Sequence, residues 1–142
     1  MAFKRGISTD IHNILGSWDP SLETPLGWFH VTCDAAGRVI RLEVNGIFLV
    51  GHIPPVLRNV LNLVSLDLSH NFLSGPIPLG FDNFIRGKLK FLFRPGNPRL
   101  CGNVSYNHLE GFVSPSFSKY SIRSFRPGNP RLCGAPPINS PC

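Results

Sequence analysis

The chain has 142 residues and a formal net charge of +6, with only 15% charged residues and 14 each of Gly and Pro. That length supports one domain with a modest core, and the Gly and Pro content suits a loop-rich fold. No run of 18 or more apolar residues occurs, which excludes a membrane-spanning helix, and no apolar stretch follows Lys4-Arg5, so no signal peptide is expected.

The charge is uneven. Residues 1–85 carry 5 basic and 7 acidic side chains, and residues 86–142 carry 9 basic and 1 acidic. A basic half can attract nucleic acid, anionic lipid or acidic polysaccharide. Here the basic residues are scattered among Pro and Gly without a helical stripe, so a solvated basic surface is expected and no nucleic acid.

In chain order, residues 1–16 predict an amphipathic helix, with Phe3, Ile7, Ile11 and Ile14/Leu15 near helical spacing and Gly16 as its stop. Residues 17–38 form the rest of an N-terminal cap (1–38), with Ser17-Trp18-Asp19-Pro20 and Trp28-Phe29-His30-Val31-Thr32-Cys33. Residues 39–115 hold repeats. Leu42-Glu43-Val44-Asn45-Gly46-Ile47-Phe48-Leu49-Val50-Gly51-His52-Ile53-Pro54 returns at an offset of 24 as Leu66-Asp67-Leu68-Ser69-His70-Asn71-Phe72-Leu73-Ser74-Gly75-Pro76-Ile77-Pro78. This period, with an L-x-L-x-x-N-x-L core, marks a leucine-rich repeat.

Each coil then has physical duties. Leu66 and Leu68 point inward from a short strand, Asn71 bonds main-chain groups of neighbouring coils, and Leu73 re-enters the core. Ile77-Pro78 returns along the outer side, and Phe81 and Phe84 close the turn. One coil cannot bury its own apolar face, so about three stacked coils are needed. A third is suggested by Leu89, Leu92 and Asn97, although its step is 26 and Arg94 falls where an inward leucine is expected. A fourth is suggested by Val104–Val113. The expected fold is an α/β leucine-rich-repeat solenoid: a short right-handed coil with parallel strands on its concave face, a helical N-terminal cap and an irregular Pro/Ser/Arg-rich tail over 116–142.

The decapeptide Phe-Arg-Pro-Gly-Asn-Pro-Arg-Leu-Cys-Gly occurs twice, at Phe93–Gly102 and Phe125–Gly134. Identity at an offset of 32, unrelated to 24, points to a recent duplication, a rearranged gene or a constructed sequence. The four cysteines, Cys33, Cys101, Cys133 and Cys142, form no C-x-x-C pair, which argues against zinc. Cys133 and Cys142 bracket a short loop and can pair in an oxidising compartment. Cys33 and Cys101 then pair or stay free. Asn103-Val104-Ser105 is a glycosylation sequon, used if the chain is secreted.

These residues resemble the extracellular part of plant leucine-rich-repeat receptor-like kinases. The cap resembles the somatic-embryogenesis-receptor-kinase group through Ala2–Ser8, Ser17–Pro20 and Trp28–Cys33. Gly128–Gly134 is similar to the segment that closes such solenoids. The cap of that family has a second cysteine before the tryptophan; Leu26 or Gly27 stands there in this chain. The kinase is missing: no G-x-G-x-x-G loop or H-R-D motif occurs, nor a G-x-S-x-G elbow. The resemblance implies a non-enzymatic co-receptor module at the cell surface, without cofactor or metal. Its implied partner is another leucine-rich-repeat ectodomain, or a receptor holding a peptide or hormone.

The resemblance places contacts at Phe29 and His30, and on the exposed concave positions Arg41, Glu43 and Asn45, then Ser65, Asp67, Ser69 and His70. The alternatives are a basic cell-wall or defence protein of the polygalacturonase-inhibitor type, binding acidic pectin through the +8 half, or a non-functional product of a truncated gene.

Overall fold

The computed structural model describes residues 3–60, 62–78, 102–118, 123, 125–134, 136 and 138–142. Their strands are β1 (Ile7–Thr9), β2 (Val31–Cys33), β3 (Val39–Glu43), β4 (Val50–His52), β5 (Ser65–Asp67), β6 (Phe72–Gly75), β7 (Gly102–Asn103), β8 (His108–Phe112) and β9 (Arg131–Cys133). They form two sheets, ordered β2-β3-β5-β7 and β1-β4-β6-β8-β9. Every pairing between coils is parallel; only β1 and β2 run antiparallel to their neighbours, β4 and β3. Each coil thus gives one strand to each sheet, and the sheets flank a shared apolar interior.

The repeat frame explains that interior. Leu42, Val44, Leu49 and Ile53 of the first coil are all buried, as are Leu66, Leu68, Leu73 and Ile77 of the second. Val104, Leu109 and Val113 continue the same columns, and Leu132 ends them. Burying each such side chain stabilises by about 1.5–3 kcal/mol before ordering costs are subtracted. In the first sheet the register follows the 24-residue frame, with Leu42 opposite Leu66 and Glu43 opposite Asp67. In the second it is staggered by two, so that Gly51 lies opposite Leu73.

A column of buried asparagines joins the coils. Asn71 Oδ1 accepts from the Leu49 N–H at 2.9 Å, and its Nδ2 donates to the Val44 and Leu68 carbonyls. Asn107 repeats this one coil on, accepting from the Leu73 N–H at 2.8 Å and donating to the Leu68 and Val104 carbonyls. Asn129 repeats it again, with the Leu109 N–H at 2.9 Å and the Val104 carbonyl at 2.8 Å. Each side chain satisfies backbone groups of the bend that would otherwise be buried without partners. The first coil has Ile47 at this position, half-buried against the core, so the ladder starts at Asn71.

The residue before each rung is left-handed, with φ 55° at His70, 51° at Tyr106 and 81° at Gly128, and so is Gly46 before Ile47, at 66°. At Gly128 the glycine is required twice over, because a Cβ there would collide with the Tyr106 backbone.

Three expectations are corrected, and another lies outside the described residues. The amphipathic helix over residues 1–16 is absent from the described part of that segment. Lys4–Gly6 and Ile14–Ser17 are single 3-10 turns, with β1 between them. No α-helix occurs among the described residues, so the α component of the expected α/β class reduces to such turns. The reason is tertiary: the segment 7–9 covers the margin of β4, which a helix would leave unpaired. Gly6 sits so close to β4 that a Cβ would stand 2.6 Å from the His52 carbonyl oxygen. Asp10 then ends the strand by accepting from the Ile14 and Leu15 N–H groups.

Second, Leu89, Leu92 and Asn97 of the expected third coil lie outside the described residues, as do Phe81, Phe84, Arg94 and Cys101. The coil at Val104–Val113 stacks directly on the second coil, through β5–β7 and β6–β8. Third, the tail is not irregular throughout, since the second decapeptide copy supplies Asn129, β9 and the buried Phe125. Finally, Ser65 and Ser69, expected on an open face, are buried.

Candidate concave binding face

The first sheet carries the expected contact residues. Arg41 and Glu43 are two apart on β3 and so share a face. Their side chains are each 45% exposed and form a 3.7 Å ion pair. Across the sheet, Arg41 lies between Thr32 and Ser65, and Glu43 lies beside Asp67, which lies beside Asn103. Ser65 is covered because its hydroxyl donates to Glu43 Oε1 at 3.1 Å. Ser69 is covered because both its N–H and its hydroxyl donate to Asp67 Oδ1, the hydroxyl at 2.6 Å. The two serines therefore fix the carboxylates rather than present themselves.

The cap places Phe29 and His30 beside this face. Trp18 is buried and stacks on Trp28 at 5.4 Å between ring centroids, while its indole N–H donates to the Phe29 carbonyl at 2.9 Å. The Ser17 hydroxyl accepts from the Phe29 N–H at 3.0 Å. With its backbone held on both sides, Phe29 leaves its ring 62% exposed. His30 is in the left-handed region, φ 63°. Its ring Nδ1 lies 3.0 Å from the Glu43 carbonyl, to which it donates, and the His30 carbonyl accepts from the Glu43 N–H at 3.0 Å. These bonds tie the cap loop that carries Phe29 and His30 to β3, which carries Arg41 and Glu43 and runs beside Asp67 of β5.

Asn45 and His70 are exposed but belong to the bends between the sheets, beyond β3 and β5. His70 stacks on Tyr106 with centroids 4.3 Å apart. Asn103 of the sequon lies in β7 opposite Asp67.

The hairpin joining β2 and β3 is pinned by Asp34. Its carboxylate accepts from the Ala36 and Arg38 N–H groups and pairs with the Arg38 guanidinium at 2.7 Å. The side-chain bond from Arg38 is the main cause holding the Asp34 carboxyl below the usual carboxylate range. Cys33 is a free thiol, raised above its ordinary value first by burial and then by the Asp34 charge. Cys133 and Cys142 form a disulfide.

The sequence reading missed two features. Thr32 is exposed beside Arg41 and extends the row. Away from it, Phe48 just before β4, Phe72 of β6 and His108 of β8 line up at centroid spacings of 6.1 and 5.9 Å. The signal for the latter was present, since Phe48 and Phe72 occupy the same repeat position.

Two stacked sheets, an asparagine ladder and an open strand face define a leucine-rich-repeat module. Residues 62–84 match the family model described as Leucine Rich Repeat. Leucine-rich repeat protein 1 of Oryza sativa subsp. japonica is 46% identical over 59 residues, which is 42% of this chain and 28% of that protein. The chain thus spans under a third of that curated relative. Among solved structures, the PEPR1-AtPEP1 crystal structure shares the fold, with a TM-score of 0.62 over 94% of this chain and 16% of that one at 20% identity. The Arabidopsis receptor kinase HAESA, in complex with the peptide hormone IDA and the co-receptor SERK1, is 27% identical, with a TM-score of 0.50 over 83% of this chain and 22% of that one. The chain has a leucine-rich-repeat fold and is similar, over part of its length, to plant leucine-rich-repeat proteins and to plant receptor ectodomains. No helix among the described residues is long and apolar enough to cross a membrane.

Proposed function

We propose that this chain is a protein-binding module that works as a plant receptor or co-receptor ectodomain does, at the cell surface and without catalysis. The observation that carries the reading is the surface formed by Phe29, His30, Arg41, Glu43 and Asp67. It joins an exposed aromatic ring in the cap to paired charges on the neighbouring sheet. Such a face offers apolar contact from Phe29 and hydrogen bonding from the charged row, and its rigidity lowers the ordering cost of association. Its partner is another leucine-rich-repeat ectodomain, alone or holding a peptide hormone. The likeness to a receptor that binds a peptide hormone and a co-receptor supports that choice.

The test is binding of the chain to purified plant leucine-rich-repeat ectodomains, with and without their peptides. Phe29→Ala combined with His30→Ala is expected to weaken association at least tenfold. Unchanged affinity would remove the cap surface from the mechanism.

The charge asymmetry favours a second reading, in which the basic C-terminal half binds acidic pectin. That binding would fall steeply between 0.05 and 0.5 M salt, on the order of the Debye screening expected for exposed charges. Absent or salt-insensitive retention on polygalacturonate would sink it.

A further inference from the structure

Beyond β9 the chain folds back on itself. The Gly134 N–H donates to the Ser140 carbonyl at 2.7 Å, and the Ser140 N–H returns a bond to the Gly134 carbonyl at 3.0 Å. Between them Ile138 is 1% exposed, and its carbonyl accepts from Arg126 Nη1 at 3.4 Å. The exposed Cys142 is joined to the half-buried Cys133, the last residue of β9. β9 pairs with β8 on one side, and this strap is bridged to Gly134, the first residue past β9, on the other. That side is the margin of the second sheet, and an uncovered margin invites pairing with another chain.

We propose that Gly134, Ile138, Ser140 and the Cys133–Cys142 disulfide form a redox-gated end stop for the second sheet. The lock is the disulfide, and the reductant is a dithiol. A thiolate of the reductant attacks the exposed Cys142 sulfur, and Cys133 leaves as a thiolate and takes up a proton. The second thiol of the reductant then closes its own disulfide and releases Cys142 as a thiol. Two electrons and two protons pass to the cysteine pair, and the reductant leaves oxidised.

The released strap keeps two backbone bonds, the Arg126 contact and one buried isoleucine. A loop this short loses roughly 30- to 100-fold in closure when its disulfide is removed. The opening is local. The last rung of the ladder belongs to Asn129, whose bonds to Leu109, Val104 and Phe125 involve no strap residue. Reduction therefore uncovers the Gly134 backbone at the end of β9 and the seat of Ile138 while leaving the solenoid assembled.

Residue-resolved hydrogen exchange on the whole chain tests this, comparing the oxidised protein, the dithiol-treated protein and Cys142→Ser. The expected result is exchange 30- to 100-fold faster at the Gly134 and Ser140 amides in both opened forms. The Leu73 and Leu109 amides, bonded to Asn107 and Asn129, keep their rates. Unchanged exchange at Gly134 and Ser140 would overturn the proposal. Equal acceleration at Leu73 and Leu109 would overturn it too, because the disulfide would then staple the whole fold rather than gate its end.

Discussion

Replacing Asn107 by alanine removes the central rung of the ladder, and its cost can be worked from the partners left behind. The Leu68 carbonyl keeps a donor in Asn71 Nδ2, and the Val104 carbonyl keeps one in Asn129 Nδ2. The Ser105 carbonyl, also bonded by Asn107, keeps the His70 N–H. Only the Leu73 N–H is orphaned, in a buried site, at a cost of about 1–3 kcal/mol. The lost amide donations and a small void add about 1 kcal/mol. The expected total is about 3 kcal/mol. With an unfolding entropy of about 0.3 kcal/mol/K for a chain this size, that lowers Tm by about 10 °C. Asn45→Ala is the control, because Asn45 is exposed outside the ladder; it is expected to cost under about 0.5 kcal/mol. Urea denaturation followed by circular dichroism reads both, with a single transition and an unchanged m-value. A loss below about 1 kcal/mol for Asn107→Ala, or one equal to that of Asn45→Ala, would refute the ladder as the joint between coils.

Other substitutions probe other joints. Gly128→Ala forces a Cβ into the Tyr106 backbone at a left-handed residue and is expected to cost about 3 kcal/mol or more, read by thermal melting. Trp28→Phe is expected to be tolerated within about 1 kcal/mol, since its buried indole N–H has no partner among the described residues. Trp18→Phe removes the bond to the Phe29 carbonyl, so it is expected to cost about 1–2 kcal/mol and to raise exchange at the Phe29 amide. For Asp34 the folded carboxyl is lowered, so its contribution is present above the unfolded pKa and is lost as pH falls through the folded value. Asp34→Asn should therefore destabilise at pH 7 and by less at pH 2. An equal difference at both pH values would contradict the Arg38 pairing.

What was legible in the sequence was whatever repeats at a fixed period. The offset of 24 placed Leu42, Leu66, Leu49 and Leu73 inside, and Asn71 on the backbone of its neighbours, because burial and bend satisfaction recur with every coil. The terminal segments were not legible, because their conformations answer to a neighbour rather than to their own pattern. Ile7, Ile11 and Leu15 have helical spacing, yet residues 7–9 pair with β4. Asn129 was hidden because the decapeptide spaces its asparagine and inward leucine three apart, whereas Asn71 and Leu73, like Asn107 and Leu109, are two apart. On the candidate face, alternation placed Arg41 and Glu43 together. It could not show that Ser65 and Ser69 spend their hydroxyls on Glu43 and Asp67, since that depends on side chains meeting across and along the strands.

The central claim is that the face built by Phe29, His30, Arg41, Glu43 and Asp67 recognises a protein. Isothermal titration of the intact chain against purified plant leucine-rich-repeat ectodomains, each with and without its peptide, tests it most directly. The account predicts a saturable one-to-one isotherm with at least one of them, lost in the Phe29→Ala/His30→Ala variant while that variant keeps a cooperative thermal transition. Flat titrations throughout, or an isotherm that the double variant reproduces, would contradict it.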